Sequence, residues 1–179
     1  MEEWVDPRVA ATNLLQMLAR YRQKDTLPRL LPFLEKTLSL YTTTPEALRD
    51  YQKKDGVMVA LATICKILKE SKTYRHLLEP LIVTHIIPEF KSPVAFLRSR
   101  ACWVIEYFSE CEWQQKETLP AILQGLLGGL RDPALPVQVG GRNGSAASCL
   151  VDLTVCALCS APCTLYHVPA TLTPTHPNR

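Results

Sequence analysis

The sequence predicts an all-α protein, a solenoid of about three antiparallel helix pairs followed by an irregular or disordered C-terminal tail. Three observations carry that expectation. Apolar residues step by three and four along the first part of the chain, no run alternates with period two between turn residues, and the phrase Pro-x-[Leu/Ile]-[Leu/Val] recurs at Pro28, Pro80 and Pro120. The prolines stand 52 and 40 residues apart. A unit of that length cannot bury its own apolar face and must stack on copies of itself. An extended stacked surface suits the gripping of other macromolecules better than chemistry.

The helices follow in order. Asp6-Pro7 opens the first: an oxygen-bearing cap precedes a proline whose missing N–H would lack an intrahelical partner there anyway. Ala10, Leu14, Met17 and Tyr21 form its stripe. Leu27, Leu31, Leu34, Leu38 and Tyr41 form the second, marked by the Pro28 phrase. A polar, turn-forming insertion over 42–50 separates this pair from the next and is read as a solvated connector, with a contact loop as the sharper alternative. Val57, Leu61, Ile64 and Leu68 make the third stripe, and Leu78, Ile82, Ile86 and Phe90 the fourth. Ser92-Pro93 opens the fifth helix, whose stripe is Ala101, Val104 or Ile105, and Phe108; Leu119, Leu123, Leu126 and Leu130 complete the sixth. Asp132-Pro133 matches Ser92-Pro93 in spacing and announces a further unit. The units are 6–41, 54–90 and 92–130. Pro32 and Pro88, deeper in second helices, are expected to kink them.

Composition divides the chain into two objects. The whole has 179 residues, 47% hydrophobic and 21% charged, as in a folded soluble protein. From residue 139 onward the only charged side chains are Arg142, Asp152 and Arg179, while four of the seven cysteines fall there. We therefore expect a helical segment over 1–138 and a low-order tail over 139–179, the latter read as translation of retained intron or out-of-frame sequence. A net charge of +3 is too mild for nucleic acid. The stretch 146–161 is too short to span a membrane and is interrupted by Asp152. Met1-Glu2-Glu3-Trp4 has neither the basic region nor the apolar core of a secretory signal, so a soluble intracellular protein is expected.

Lys53-Lys54-Asp55-Gly56 before an apolar helix, Tyr74, the helix over 78–90, and then Leu97-Arg98-Ser99-Arg100-Ala101-Cys102-Trp103-Val104-Ile105-Glu106-Tyr107-Phe108 form a more specific pattern. Paired helices with Asp-Pro-type starts resemble HEAT repeats, and this combination resembles the importin-β superfamily (karyopherins), closest to the subgroup of importin seven and importin eight. The resemblance covers roughly 1–138 and is strongest over 52–108. It implies an armadillo-like helical superhelix that wraps protein cargo, meets nucleoporins and releases cargo to Ran-GTP. It also implies protein transport and nuclear import, with the protein in cytoplasm, nucleus and nuclear envelope. In such receptors the main Ran-contacting repeats lie near the amino terminus, and this chain is similar to a middle segment. The alternatives are a HEAT scaffold subunit of another complex and a truncated product without function.

No catalytic, cofactor-binding or metal-binding residues are expected, and the chain is not read as an enzyme. His76 and His85 are taken as surface or packing residues, and Cys65, Cys102 and Cys111 as helical thiols behaving as small hydrophobes. Glu106 and Glu110 are a solvated pair on one helix face. Lys66, Lys69, Lys72 and Arg75 make the best basic patch, read as a solvated face with an acidic partner as the alternative. Gly56 and Ala101 are read as points of close backbone packing, and Trp103, Tyr107 and Phe108 as filling between units. Lys54, Arg98 and Arg100 are expected to hold a ladder of charges. In the tail, Cys156, Cys159, Cys163 and His167, with Cys149 nearby, have the ligand types of a zinc set, but all four fall within twelve residues, whereas second ligand pairs usually lie a dozen or more residues from the first, and no zinc is expected. Gly140-Gly141-Arg142-Asn143-Gly144-Ser145 lacks the lysine of a phosphate loop. A stack open at both ends is expected to be marginally stable and prone to self-association.

Overall fold

The computed structural model describes residues 6–108, 111 and 113–143. Helix α1 (Pro7–Tyr21) is followed by α2 (Gln23–Thr43), a 3₁₀ turn (Glu46–Leu48) and α3 (Tyr51–Glu70). A second 3₁₀ turn (Arg75–Leu77) leads into α4, which starts with α geometry (Leu78–Leu81), widens to a π turn (Ile82–Ile86) and tightens to 3₁₀ (Ile87–Lys91). Then come α5 (Ala95–Phe108), α6 (Thr118–Leu130) and α7 (Leu135–Asn143), which straddles the composition break after Gln138. Neighbours in one layer are α1, α3, α5 and α7; α2 packs on α1 and α3, while α6 packs on α5, α7 and the 3₁₀ end of α4. Over the described residues this is an all-α, HEAT-like solenoid, and α7 continues the row of first helices.

Helices α1, α5 and α7 begin alike. The side-chain oxygens of Asp6, Ser92 and Asp132 each accept the N–H two residues on, from Arg8 (2.8 Å), Val94 (3.4 Å) and Ala134 (2.9 Å). A proline sits between donor and acceptor each time, so the turn leaves no orphan N–H at that position. Helix α3 has no such proline; Asp50 caps it by accepting from Lys53 N–H at 2.9 Å.

The prolines of the second helices act differently from one another. Helix α2 runs continuously through Pro28 and Pro32. The helical geometry breaks instead before Pro88. That proline offers no N–H to the carbonyl of Thr84 and its ring crowds the preceding turn, and the chain meets both demands by opening the π turn upstream.

Burial confirms four stripes, overturns that of α1 and shifts that of α6. In α3, Val57, Leu61, Ile64 and Leu68 are buried together with Met58, Ala62 and Cys65. Leu27, Leu34 and Leu38 of α2, Leu78, Ile82 and Ile86 of α4, and Ala101, Val104, Ile105 and Phe108 of α5 join the same core. In α1 the expected stripe faces outward: Leu14 is 61% and Tyr21 67% exposed, while Leu15 and Ala19 meet the core. Both sides of α1 are apolar, and the described residues cover only one. In α6 Leu126 of the expected stripe is buried and Leu119 and Leu123 pack half-buried against the core, but Leu130 is exposed and the covered line also takes in Thr118, Ile122 and Gly129. The rotation has a steric cause: a Cβ on Gly125 would overlap the Phe90 ring, and one on Gly129 would stand 3.1 Å from Cys102 Sγ. The glycines turn inward because α4 and α5 press against them.

Candidate functional site

The Lys-Asp-Gly sequence of α3 divides its work between two neighbours. Lys54, 2% exposed, points into the core with Nζ 3.3 Å from Glu89 Oε1 and 4.7 Å from the centre of the Tyr41 ring. The Tyr41 hydroxyl donates to Glu89 Oε2 at 3.5 Å, so α2, α3 and α4 meet at one charged cluster. Burial lowers the Lys54 pKa, with the Glu89 charge and hydrogen bond opposing it. Burial and then the same carboxylate push Tyr41 up to about 12, which keeps it a neutral donor. Asp55 points the other way, 2.6 Å from Arg100 Nε on α5. The Arg100 guanidinium covers Trp103 at 4.8 Å, and Trp103 meets Tyr107 edge-on at 4.7 Å. Gly56 has open space where a Cβ would stand. Close packing is therefore not the reason for this glycine, whereas Ala101 is fully buried.

The ladder continues from α5 to α7. Arg98 forks onto Asp132 at 2.6 and 2.8 Å, and its Nη1 donates to Ser92 O at 2.9 Å. The Arg98 hydrogen bond holds the Asp132 carboxyl below its ordinary range despite desolvation, and the same bond raises Arg98. Thus Lys54 ties α3 to α4 within a unit and meets Tyr41 of the preceding one, while Asp55–Arg100 and Arg98–Asp132 tie successive first helices. Phe108 alone of the three expected aromatics is fully buried; Trp103 and Tyr107 lie along the flank.

Glu79 was not singled out by the sequence, yet it organises the approach to α6. Its carboxylate accepts from Gln114 N–H (2.8 Å), Gln115 N–H (3.0 Å) and the Thr118 hydroxyl (2.7 Å). Burial alone would raise its pKa, but these three donors outweigh it and the pKa is lowered. Beside it opens a groove of about 930 Å³ lined by the C-terminal half of α3, the turn after it, Tyr107 and Trp113. The structure gathers Lys66, Lys69, Lys72 and Arg75 in that lining, with His76. A second groove, about 620 Å³, lies between α1, α3 and α5 beside Gly56 and Arg100.

The remaining candidates separate. His76 is exposed, whereas His85 is half-buried, its Nδ1 has no partner among the described residues, and burial followed by the nearby Lys54 charge lowers its pKa. Cys65 and Cys102 are buried helical thiols, and burial pushes Cys102 up to about 11. Cys111 lies after the end of α5, a correction to its expected helical place. Among the described residues no three His, Cys, Asp or Glu side chains are grouped to hold a metal. Glu110, Cys149, Cys156, Cys159, Cys163 and His167 lie outside the described residues. So does the tail from residue 144 on; the Gly140–Ser145 stretch begins within α7 and crosses that limit.

Fold and ion pairs define a stacked-helix scaffold of the HEAT-like kind. Over 139 residues, 78% of this chain, it is 30% identical to a protein described as "Importin beta-like SAD2 homolog" in Arabidopsis thaliana. It is 29% identical over 77% of its length to Importin-8 of Homo sapiens, and 29% over 74% to "Probable importin-7 homolog" of Dictyostelium discoideum. The chain is a relative of the importin-β family. It spans 14%, 13% and 12% of the length of these three relatives. No protein-family model matches it. No solved structure matches it either.

Proposed function

We propose that this chain serves as part of a nuclear transport receptor, binding protein cargo and performing no catalysis. In this reading the helical segment over 1–138 is the carrier element and 139–179 an added tail. The receptor moves between cytoplasm and nucleus, meets nucleoporins at the nuclear envelope, and yields cargo to Ran-GTP through repeats other than these. The observation that carries the reading is the match of most of the chain to importin-named relatives, over a span held by Lys54–Glu89, Asp55–Arg100 and Arg98–Asp132.

A chimaera tests it. The aligned stretch of Homo sapiens Importin-8 is replaced by that of this chain, and nuclear accumulation of a fluorescent cargo is followed in permeabilised cells with and without Ran. The expected result is Ran-dependent accumulation close to that of the unaltered receptor. A folded chimaera that binds nucleoporins and Ran-GTP but carries no cargo overturns the reading and favours a HEAT scaffold of another kind.

A further inference from the structure

The groove beside Glu79 stands apart from the pairs that hold the solenoid together. Its wall, 66–76, presents Lys66, Lys72, Arg75 and His76 as exposed side chains. Lys66 and Lys72 meet no acidic partner among the described residues, in contrast to Lys54, Arg98 and Arg100, each matched by a carboxylate. Of the two acids in the lining, Glu79 has its carboxylate committed to Gln114, Gln115 and Thr118, and the exposed Glu70 is outnumbered by Lys66, Lys69, Lys72 and Arg75. Positive charge is therefore left over where the surface is concave, and a concave low-dielectric wall strengthens the field of the cations on its rim. Leu78, Ala62 and Trp113 add apolar lining. The volume of about 930 Å³ lies within the roughly 300–1,000 Å³ range of binding clefts.

We propose that this groove docks an acidic, extended segment of a partner protein, with Lys66 and Lys72 pairing its carboxylates and the half-buried Trp113 receiving an apolar side chain among them. Nucleic acid fits less well. A backbone of phosphates calls for a long stripe of cations, whereas here they are confined to one turn-and-a-half of α3 and the turn that follows, beside apolar walls. The proposal goes beyond the transport reading, since any HEAT-like scaffold with this groove would bind such a segment and neither Ran nor a pore is involved.

Fluorescence anisotropy on the full 179-residue chain tests it. The probe is a fluorescein-labelled peptide of glutamate and aspartate with one central leucine. Its lysine-and-arginine counterpart and a single-stranded oligothymidine serve as comparisons. Saturable binding of the acidic probe is expected, weakening as salt screens the contacts, and falling by about tenfold or more in Lys66→Glu/Lys72→Glu. Both sites are exposed, so far-ultraviolet circular dichroism should match the parent; the milder Lys66→Gln/Lys72→Gln should bind with intermediate affinity. Equal binding by the charge-reversed chain, absence of saturation, or tighter binding of the oligothymidine overturns the proposal.

Discussion

Helix α3 and helix α1 are both first helices, but they inhabit different environments. Helix α3 is flanked by α1 on one side and α5 on the other and buries eight side chains, Lys54 among them. Among the described residues, helix α1 packs chiefly on α2 and α3 and buries Ala19 alone, leaving Leu14, Met17, Leu18 and Tyr21 exposed. The charges differ in the same way. Lys54 and Asp55 are engaged by other helices, whereas the Arg22–Asp25 ion pair at the start of α2 is local and exposed. In a stack, a helix's contribution to stability depends on how many neighbours cover it more than on its own apolar content.

The largest expected effect comes from deleting a side chain where coverage is complete. Phe108→Ala should cost about 4 kcal/mol in urea denaturation, while Leu14→Ala on exposed α1 should cost under about 0.5 kcal/mol. Comparable losses at the two sites would break the contrast. Next comes Lys54→Met, which strands Glu89 without its cation and should cost about 3 kcal/mol; adding Glu89→Leu should recover most of it. A double variant no more stable than the single one would mean that the pair contributes more than an apolar replacement can.

Glycine offers a smaller and sharper test. Gly125→Ala must displace the Phe90 ring and should cost about 2 kcal/mol, although alanine is the better helix former. Gly56→Ala meets open space and should stabilise by about 0.5–1 kcal/mol. A loss at position 56 would show that this face of α3 is covered after all.

The smallest effect is read as a slope against pH. Glu79 and Asp132 have lowered pKa values when folded, so the unfolded chain binds protons first as the medium turns acid. Their stabilisation is present above the unfolded carboxylate range and is lost as pH falls through their folded values. Glu79→Gln should flatten the acid side of the urea-midpoint profile; an unchanged profile would mean that its three hydrogen bonds are not maintained in solution.

The sequence made the all-α class, the order of helix pairs and the proline-bearing starts legible, because each rests on a local rule. Periodicity of three and four identifies a helix, and an oxygen two residues before an N–H closes a turn whatever surrounds it. The basic patch was legible too, since 66–75 is one stretch of chain. Less was visible of the partners. Arg98 and Arg100 stood out as a pair, but Asp132 was noticed only as a cap, and neither Glu89 nor Glu79 was noticed at all. A carboxylate bound for the interior has the same letter as one bound for water.

Two kinds of fact required the tertiary structure. Which apolar side of α1 is covered depends on where α3 lies, and which side of α6 turns inward depends on the Phe90 ring and Cys102, since glycine carries no hydrophobic signal of its own. Likewise, the adjacent residues Lys54 and Asp55 face opposite neighbours only because α4 and α5 flank α3. Local pattern determined that helices form and pair. Burial and charge matching are properties of surfaces brought together across dozens of residues, and the packing of the stack decided them.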